Sequence, residues 1–479
     1  MIEQLRAEIA RLREAAAPLE PGTEARRELG EQALGHSLAY WDQVEEAASN
    51  RSWSEVFSQR LEPEFTEEGR DPTAVLDYVA SCVDQPGFAT TSPRFMAYIP
   101  GGGVPFSAFG DLLAATSNKY SGFASASPGA VRIENACVAW LASVIGYPHD
   151  AAGTLTSGGS IANLTAVVAA RETRDPDGGG AVYVTRFAHY CIDKALHIAG
   201  RGRSPKRVID TDDAYRMSVE ALERALEADW RNGIRPWIVI ASAGTVDTGA
   251  VDPLAEIADL CGRYGAWLHV DGAYGGLFAL CDEGKALLRG IEQADSVALD
   301  PHKTLFLPYG TGAVVVRDGK LLQDAFSATG DYIQPLGESE VGPSPADLSP
   351  ELTRHFRALR LWLPLQMAGI AAFRAAQAEK LALARYFHAR LSEIEGFDPG
   401  SQPQLSVVAF RYLPKAGDVD EFNERLMRHI QQEGRVMMSG TRIDGSYRLR
   451  CAILCFRTHL EHVDDAIDAI LRGVEALNG

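Results

Sequence analysis

Lys303 lies in the run Asp300-Pro301-His302-Lys303, directly after the apolar stretch Ser296-Val297-Ala298-Leu299. Farther upstream, the stretch Ala266-Trp267-Leu268-His269-Val270 ends in Asp271-Gly272-Ala273-Tyr274. Both stretches have the length and apolar character of short buried strands, so an amine and a carboxylate are expected at the carboxyl ends of two strands. In an α/β protein those ends open into the ligand crevice. An amine there can form a Schiff base with an aldehyde, and a carboxylate can hold a protonated pyridine nitrogen. Together they suit the two anchors of pyridoxal phosphate. Taken singly, Lys303 also fits a solvated surface position and Asp271 a turn or helix cap, so what matters is whether other residues converge on the same crevice.

Several do. Thr156-Ser157-Gly158-Gly159-Ser160 precedes a helix beginning Ile161-Ala162-Asn163-Leu164. Small residues let backbone N–H groups approach an anion there, and the helix N-terminus adds its positive dipole. The same residues also suit a tight turn with a serine cap. His189 follows the strand-like run Ala181-Val182-Tyr183-Val184 and offers a flat partner for an aromatic ring, although a satisfied core histidine is the commoner outcome. Ser242-Ala243-Gly244-Thr245 follows Trp237-Ile238-Val239-Ile240 and brings small polar groups to a fourth strand end.

The elements that must position these groups follow from the pattern. From about residue 150, short apolar runs alternate with amphipathic helices such as Pro253 to Gly262, which implies a mostly parallel central sheet with helices on both faces. Residues 1–80 are expected to be helical. Ile2, Leu5, Ile9 and Leu12 form a narrow apolar seam, broken after it by Pro18, Pro21 and Gly22, and the segment is too poor in apolar residues to make its own core. A long helix is expected over about 353–395, and the last hundred residues mix strands (Ser406–Phe410, Tyr447–Arg450) with helices as a small α+β domain. The expected domains are 1–80, a large cofactor-binding domain over 81–365 and a small one over 366–479. The stretch from about 327 to 350, rich in Gly, Pro, Ser and Asp, is the expected mobile loop.

With 479 residues, 46% hydrophobic and 23% charged, the composition is that of a globular protein. A net charge of −18 argues against nucleic acid and anionic membranes as partners. No apolar run approaches the ~18–20 residues that span a bilayer. The charged start Met1-Ile2-Glu3-Gln4-Leu5-Arg6 is unlike a secretory signal, and seven scattered cysteines suit reduced thiols, so a cytoplasmic location is expected. Cys451 and Cys455, the one close pair, lack matching ligands and are expected to be core thiols; no metal site is expected.

The chain resembles the group II pyridoxal phosphate-dependent amino-acid decarboxylases over most of its length. The resemblance is carried by Ser92-Pro93-Arg94-Phe95-Met96-Ala97-Tyr98, Ala126-Ser127-Pro128 with Glu134, Thr156–Ser160, His189, Gly244-Thr245, His269–Tyr274 and Asp300–Lys303. Phe356–Trp362 and Leu449–Ile453 follow in family order. The likeness is greatest to the aromatic-L-amino-acid branch. It implies fold type I of the pyridoxal phosphate enzymes and a homodimer with its active site at the interface. It further implies that Lys303 carries the Schiff base, Asp271 pairs with the ring nitrogen, His189 stacks on the ring and Ala273 packs on the other face. Ser157, Gly158 and His302 would lie near the phosphate and Thr245 near the ring hydroxyl. Tyr98, Ile99, Pro100 and Phe123 would line the side-chain pocket, Phe123 from the neighbouring subunit, with Arg450 as a structural or carboxylate-steering residue.

The implied activity is decarboxylation of an aromatic or bulky apolar L-amino acid; no basic cluster near the pocket points to glutamate. Three features depart from the family. Val246 replaces a second threonine, and Pro100-Gly101-Gly102-Gly103 replaces a larger polar run. The loop tyrosine that protonates Cα in typical members is missing: its expected position falls at Pro345, and the loop's tyrosine is Tyr332. Either Tyr332 reaches in, or His302 supplies the proton, or the carbanion persists and reacts with O2, as in relatives that make aldehydes. Aldehyde synthesis or another carbon–carbon lyase reaction is therefore the second expectation. An inert pyridoxal phosphate-binding scaffold is the third, disfavoured by the intact Lys303 and Asp271.

Overall fold

The computed structural model describes residues 1–51, 65–327 and 341–478. They form two compact units, Met1–Ser92 and Pro93–Gly479. In the first, helices α1 (Ile2–Ala15) and α2 (Thr23–Gln43) are separated at the proline-rich turn, and neither buries a side chain. Strand β1 (Asn50–Arg51) pairs antiparallel with β2 (Gly87–Phe88), with helix α3 (Pro72–Tyr78) between them in sequence. His36 Nε2 to Asp84 Oδ2 (2.8 Å) and Tyr40 Oη to Thr91 Oγ1 (2.9 Å) tie α2 to the end of this unit.

The second unit is built on a seven-stranded sheet. Its strands are β3 (Ala152–Thr156), β4 (Ala181–Thr185), β5 (Lys206–Ile209), β6 (Pro236–Ser242), β7 (Trp267–Gly272), β8 (Ser296–Leu299) and β9 (Gly312–Val316). They lie in the order β3-β9-β8-β7-β6-β4-β5, parallel from β8 to β5, with β9 antiparallel to both its neighbours. Helices α4 (Pro105–Ser117), α5 (Pro128–Val144), α6 (Gly159–Arg174), α7 (Cys191–Ile198), α8 (Val219–Arg231), α9 (Leu254–Tyr264), α10 (Asp282–Leu287), α11 (Pro301–Thr304) and α12 (Gly319–Phe326) surround it.

Strand β6 shows why the apolar runs lack polar alternation: all seven of its residues are buried. Val239 and Ala241 face one core with Leu141 of α5, Leu226 of α8 and Ile257 of α9. Ile238 and Ile240 face the other, with Ala162 and Ala166 of α6, Leu196 of α7 and Leu322 of α12. Alanines on α6 let it lie close on the sheet, which matters because its first turn borders the site described below.

The helix expected over 353–395 is two helices, α13 (Ala358–Met367) and α14 (Ile370–Ser392). Gly369 between them has φ +76°, a left-handed conformation that breaks the helix and that glycine adopts without strain. Beyond it, β10 (Phe397–Asp398), β11 (Val407–Tyr412), β12 (Ser439–Ile443) and β13 (Ser446–Ala452) form an antiparallel sheet in the order β10-β11-β13-β12. With α14, α15 (Val419–Glu433) and α16 (Leu460–Asn478) it encloses a second core that also takes in Met96. All seven cysteines, Cys451 and Cys455 among them, are buried free thiols. Among the described residues no helix is long and apolar enough to cross a membrane, and no cluster of side chains could hold a metal ion.

Candidate active site

Parallel register aligns the carboxyl ends of three neighbouring strands. Ser242 of β6 pairs with Asp271 of β7, and Gly272 of β7 with Leu299 of β8. The residues just past those ends, with the turn after β3 and His189 after β4, line one cavity of about 280 Å³. Ser157, Gly158, His189, Thr245, Asp271, Ala273, His302 and Lys303 all lie on its wall. Five strand ends thus meet at one place.

One wall is the turn into α6. Gly158 has φ +153° and ψ 175°, a region essentially restricted to glycine. A Cβ on Gly159 would come 2.8 Å from Asp300 Oδ2 and 3.0 Å from the Ala273 methyl, so only hydrogen fits there. Backbone, not side chain, therefore forms this wall, at the N-terminus of a helix that favours anions.

Beside it, Lys303 Nζ lies 2.9 Å from Asp300 Oδ2, the residue that precedes α11. Burial works against the Lys303 ammonium, but the Asp300 carboxylate, with Asp271 farther off, outweighs it and holds the amine above the ordinary lysine pKa. Asp300 is 1% exposed, and its Oδ1 accepts no hydrogen bond among the described residues. His302 Nδ1 faces the Thr311 carbonyl at 2.7 Å, so Nδ1 carries the proton. Burial lowers the His302 pKa, which disfavours a second proton on Nε2.

Asp271 is held by neutral donors. Its Oδ2 accepts from Asn163 Nδ2 at 3.2 Å and its Oδ1 from the Ala273 N–H at 3.2 Å. His189 is half-buried and its Nδ1 accepts from the Cys191 N–H at 3.3 Å, which puts the ring proton on Nε2. Burial lowers the His189 pKa against the pull of Asp271. The Thr245 hydroxyl is 2.8 Å from that of Thr248.

Other expected residues lie elsewhere. Tyr98, Ile99, Pro100 and Phe123 are not on the cavity wall of the single chain; Tyr98 is 55% exposed with φ +56°, while Ile99 and Pro100 are buried. Tyr332, with most of the expected loop, falls outside the described residues. Pro345 is buried at the start of a short turn (Pro345–Asp347) that is held against residues 122–124 by Ala346 N–H to the Gly122 carbonyl and by the Ala124 N–H to Ser344 Oγ. Arg450 is 3% exposed and donates to the Val246 carbonyl and to Ser439 Oγ.

Four cavity residues escaped the sequence reading, Asp300, Asn163, Phe187 and Cys191. Asp300 was visible only as a motif neighbour, although its spacing of three from Lys303 is that of helix neighbours. Asn163 was visible only as a polar residue on an otherwise apolar helix face.

The protein-family model for the pyridoxal-dependent decarboxylase conserved domain matches residues 57–413. The chain belongs to the pyridoxal-dependent decarboxylases. An aromatic-L-amino-acid decarboxylase of Bacillus atrophaeus is 34% identical over 93% of this chain and 94% of its own. A phenylacetaldehyde synthase of Petunia hybrida is 30% identical over 79% and 80%. Among solved structures, Oryza sativa TDC with pyridoxal phosphate and tryptamine superimposes with a TM-score of 0.88 at 25% identity, over 96% of this chain and 99% of that one. The chain is therefore a pyridoxal phosphate-dependent amino-acid decarboxylase on the α/β fold expected of it.

The site fits the cofactor on its own evidence. It offers an amine for the aldehyde, a carboxylate with no cation partner among the described residues for the ring nitrogen, and a glycine-lined helix start for the phosphate. Its volume of about 280 Å³ is just below the roughly 300–1,000 Å³ usual for small-molecule sites.

Proposed function

We propose that this decarboxylase acts on an L-amino acid with an aromatic or other bulky apolar side chain and releases the amine and CO2. The observation that supports this most is that the Lys303 amine and the Asp271 carboxylate share one cavity whose remaining wall combines a helix N-terminus with apolar surface from Phe187, Ala273 and Tyr274. Lys303 would hold the aldehyde carbon, Asp271 the ring nitrogen, and His189 and Ala273 the two ring faces. Thr245 would meet the ring hydroxyl, and Ser157, Gly158 and His302 the phosphate. Bound pyridoxal phosphate supplies an electron-withdrawing ring that accepts the electron pair released when the Cα–carboxylate bond breaks.

The chain's own groups account for the rest. Lys303 must shed a proton before its amine is nucleophilic, and the Asp300 carboxylate, 2.9 Å away, holds that proton on the amine until it leaves. The Asp271 carboxylate would favour a proton on the ring nitrogen. Phe187 and Tyr274 exclude water, which disfavours the substrate carboxylate relative to CO2.

The short turn Pro345–Asp347 carries no phenol to return a proton to Cα, and burial disfavours the protonated form of His302. Tyr332 remains the candidate acid. If it does not serve, O2 takes the electron pair left at Cα after CO2 departs and is reduced to peroxide, water then displaces the nitrogen, and the products become aldehyde, CO2, ammonia and peroxide. That second reading is favoured by Pro345 itself.

The proposal extends to a cytoplasmic homodimer. The Ile2–Leu5–Ile9–Leu12 seam of α1 is exposed, as are Phe106, Phe109, Leu112 and Leu113 of α4, and such apolar rows suit a subunit interface. Residues 1–80 would serve that packing, 81–365 the cofactor and 366–479 the small domain. Tyr98, Ile99, Pro100 and Phe123 would complete the side-chain pocket at the interface.

Aerobic incubation of the cofactor-loaded enzyme with aromatic and aliphatic L-amino acids, scoring amine, aldehyde, CO2 and peroxide together, tests this. Amine and CO2 from aromatic substrates are expected. Aldehyde with peroxide would establish the second reading, and turnover confined to acidic or small aliphatic substrates would overturn the pocket assignment.

A further inference from the structure

Trp267, His269 and Asp271 alternate along β7 and so project from the same face of the strand, towards α6. The Trp267 indole N–H donates to Ser296 Oγ at 2.8 Å. Ser296 Oγ lies 2.9 Å from His269 Nδ1, and His269 Nε2 lies 2.7 Å from Asn163 Oδ1. Asn163 Nδ2 donates to Asp271 Oδ2 at 3.2 Å and to Cys191 Sγ at 3.3 Å. Trp267, Ser296, His269 and Asn163 are each 0% exposed.

The two ends determine the direction of every bond between them. An indole can only donate and a carboxylate can only accept. Asn163 must therefore turn its nitrogen to Asp271 and its oxygen to His269. That puts the imidazole proton on Nε2, so Nδ1 accepts the Ser296 hydroxyl proton, while Ser296 accepts from Trp267. Each link donates towards Asp271, and in a water-free interior such links polarise one another.

We infer that Trp267, Ser296, His269 and Asn163 form a one-way hydrogen-bond chain that fixes the Asp271 carboxylate as the acceptor for the cofactor's ring nitrogen, with Asn163 and His269 as positioning residues. This rests on the assignment of Asp271 to that nitrogen. The chemistry explains why the chain is neutral. A cation beside Asp271 would cancel its charge and compete with a protonated ring nitrogen, whereas amide donors orient the carboxylate and leave its charge available. Burial supports this by lowering the His269 pKa to about 4, so the ring is uncharged near neutrality.

The test compares dissociation constants of the apoprotein for pyridoxal phosphate and for its 1-deaza analogue, in which carbon replaces the ring nitrogen. The wild type should prefer the natural cofactor. Asp271→Ala should reduce that preference by about 10-fold or more, and Asn163→Leu and His269→Leu by about 3- to 10-fold, the range expected when a hydrogen bond to a charged group is lost or weakened. His269→Gln, which keeps a donor towards Asn163, should restore most of it. A merely structural role would weaken both ligands equally and leave the ratio unchanged. Collapse in Asp271→Ala with an unchanged ratio in both leucine variants overturns the chain and leaves the Asp271 assignment standing. An unchanged ratio in Asp271→Ala overturns both. Nitrogen-15 spectra of the wild-type apoprotein decide the matter even if the variants do not fold. A neutral His269 protonated at Nε2 from pH 6 to 8 is expected, and the Nδ1–H form or an imidazolium overturns the chain.

Discussion

Asp271 and Asp300 stand just past or within the ends of two adjacent strands, yet their partners are opposite in kind. Asp271 is half-exposed to the cavity and held by two neutral donors, the Asn163 amide and the Ala273 N–H. Asp300 is buried, with one oxygen on the Lys303 ammonium and His302 Nδ1 3.7 Å from the other. Neutral donors orient a charge without cancelling it, so Asp271 can still face a cationic nitrogen. A cation cancels the charge, so Asp300 matches Lys303 only until that amine is used. Within one cavity, the type of partner separates an electrostatic role from a proton-handling one.

The largest effect should come from removing the amine that Asp300 guards. Lys303→Ala should lose turnover by about 10⁴-fold or more, as expected for loss of a covalent catalyst. It should also lose the visible absorbance of the cofactor's linkage to the protein; normal turnover would end the Schiff-base assignment. Asp271→Ala should keep that absorbance but lower kcat roughly 10²- to 10³-fold, the cost of removing one preorganised electrostatic group. Steady-state kinetics with parallel spectra separate the two, and a near-wild-type rate would mean the ring nitrogen is served by another residue.

Asp300→Asn sharpens the comparison because it removes charge with little change of shape. Asp300 holds the Lys303 pKa up against burial, so its loss should let the amine deprotonate at lower pH. The midpoint for reductive methylation of Lys303 in the apoprotein, read by mass spectrometry against pH, should fall by about one unit or more. An unchanged midpoint would show that burial alone sets the amine's state.

Most of what makes Asp271 and Lys303 recognisable was legible because strands buried on both faces are uninterrupted apolar runs, and the reactive groups stand where those runs stop. The partners were not. Asn163 and His269 meet across 106 residues of sequence, through the docking of α6 on β7, and no local pattern specifies that contact. Asp300 needed only the helical turn from Pro301 to Thr304, but a strand end followed by proline gave no sign that one would form. The break between α13 and α14 was missed because periodicity continues across Gly369, and only its backbone conformation shows the interruption. The wall positions of Ser157 and Gly158 were legible from residue size alone. The side-chain pocket was not, because Tyr98, Ile99, Pro100 and Phe123 do not meet on the cavity wall of one chain.

The smallest effect is the one that probes the neutral side of the comparison most directly. His269 in the folded protein has its pKa lowered to about 4 by burial, against an ordinary value of 6.5. Between those values the unfolded chain binds a proton that the folded chain refuses. The stability associated with neutral His269 is therefore fully present above about pH 6.5 and is lost as pH falls towards 4. At 1.36 kcal/mol per unit the full loss is about 3 kcal/mol, and about 2 kcal/mol of it should have gone by pH 5. Other groups titrate in the same window, so the informative quantity is a difference between proteins. His269→Gln cannot titrate, and the stability gap between it and the wild type, from urea unfolding of the apoproteins, should narrow by about 2 kcal/mol between pH 7.5 and pH 5. A constant gap would mean His269 takes up its proton in the folded state as easily as in the unfolded one. Asp271 would then sit beside a group able to become a cation, and the contrast with Asp300 would be lost in mildly acidic solution.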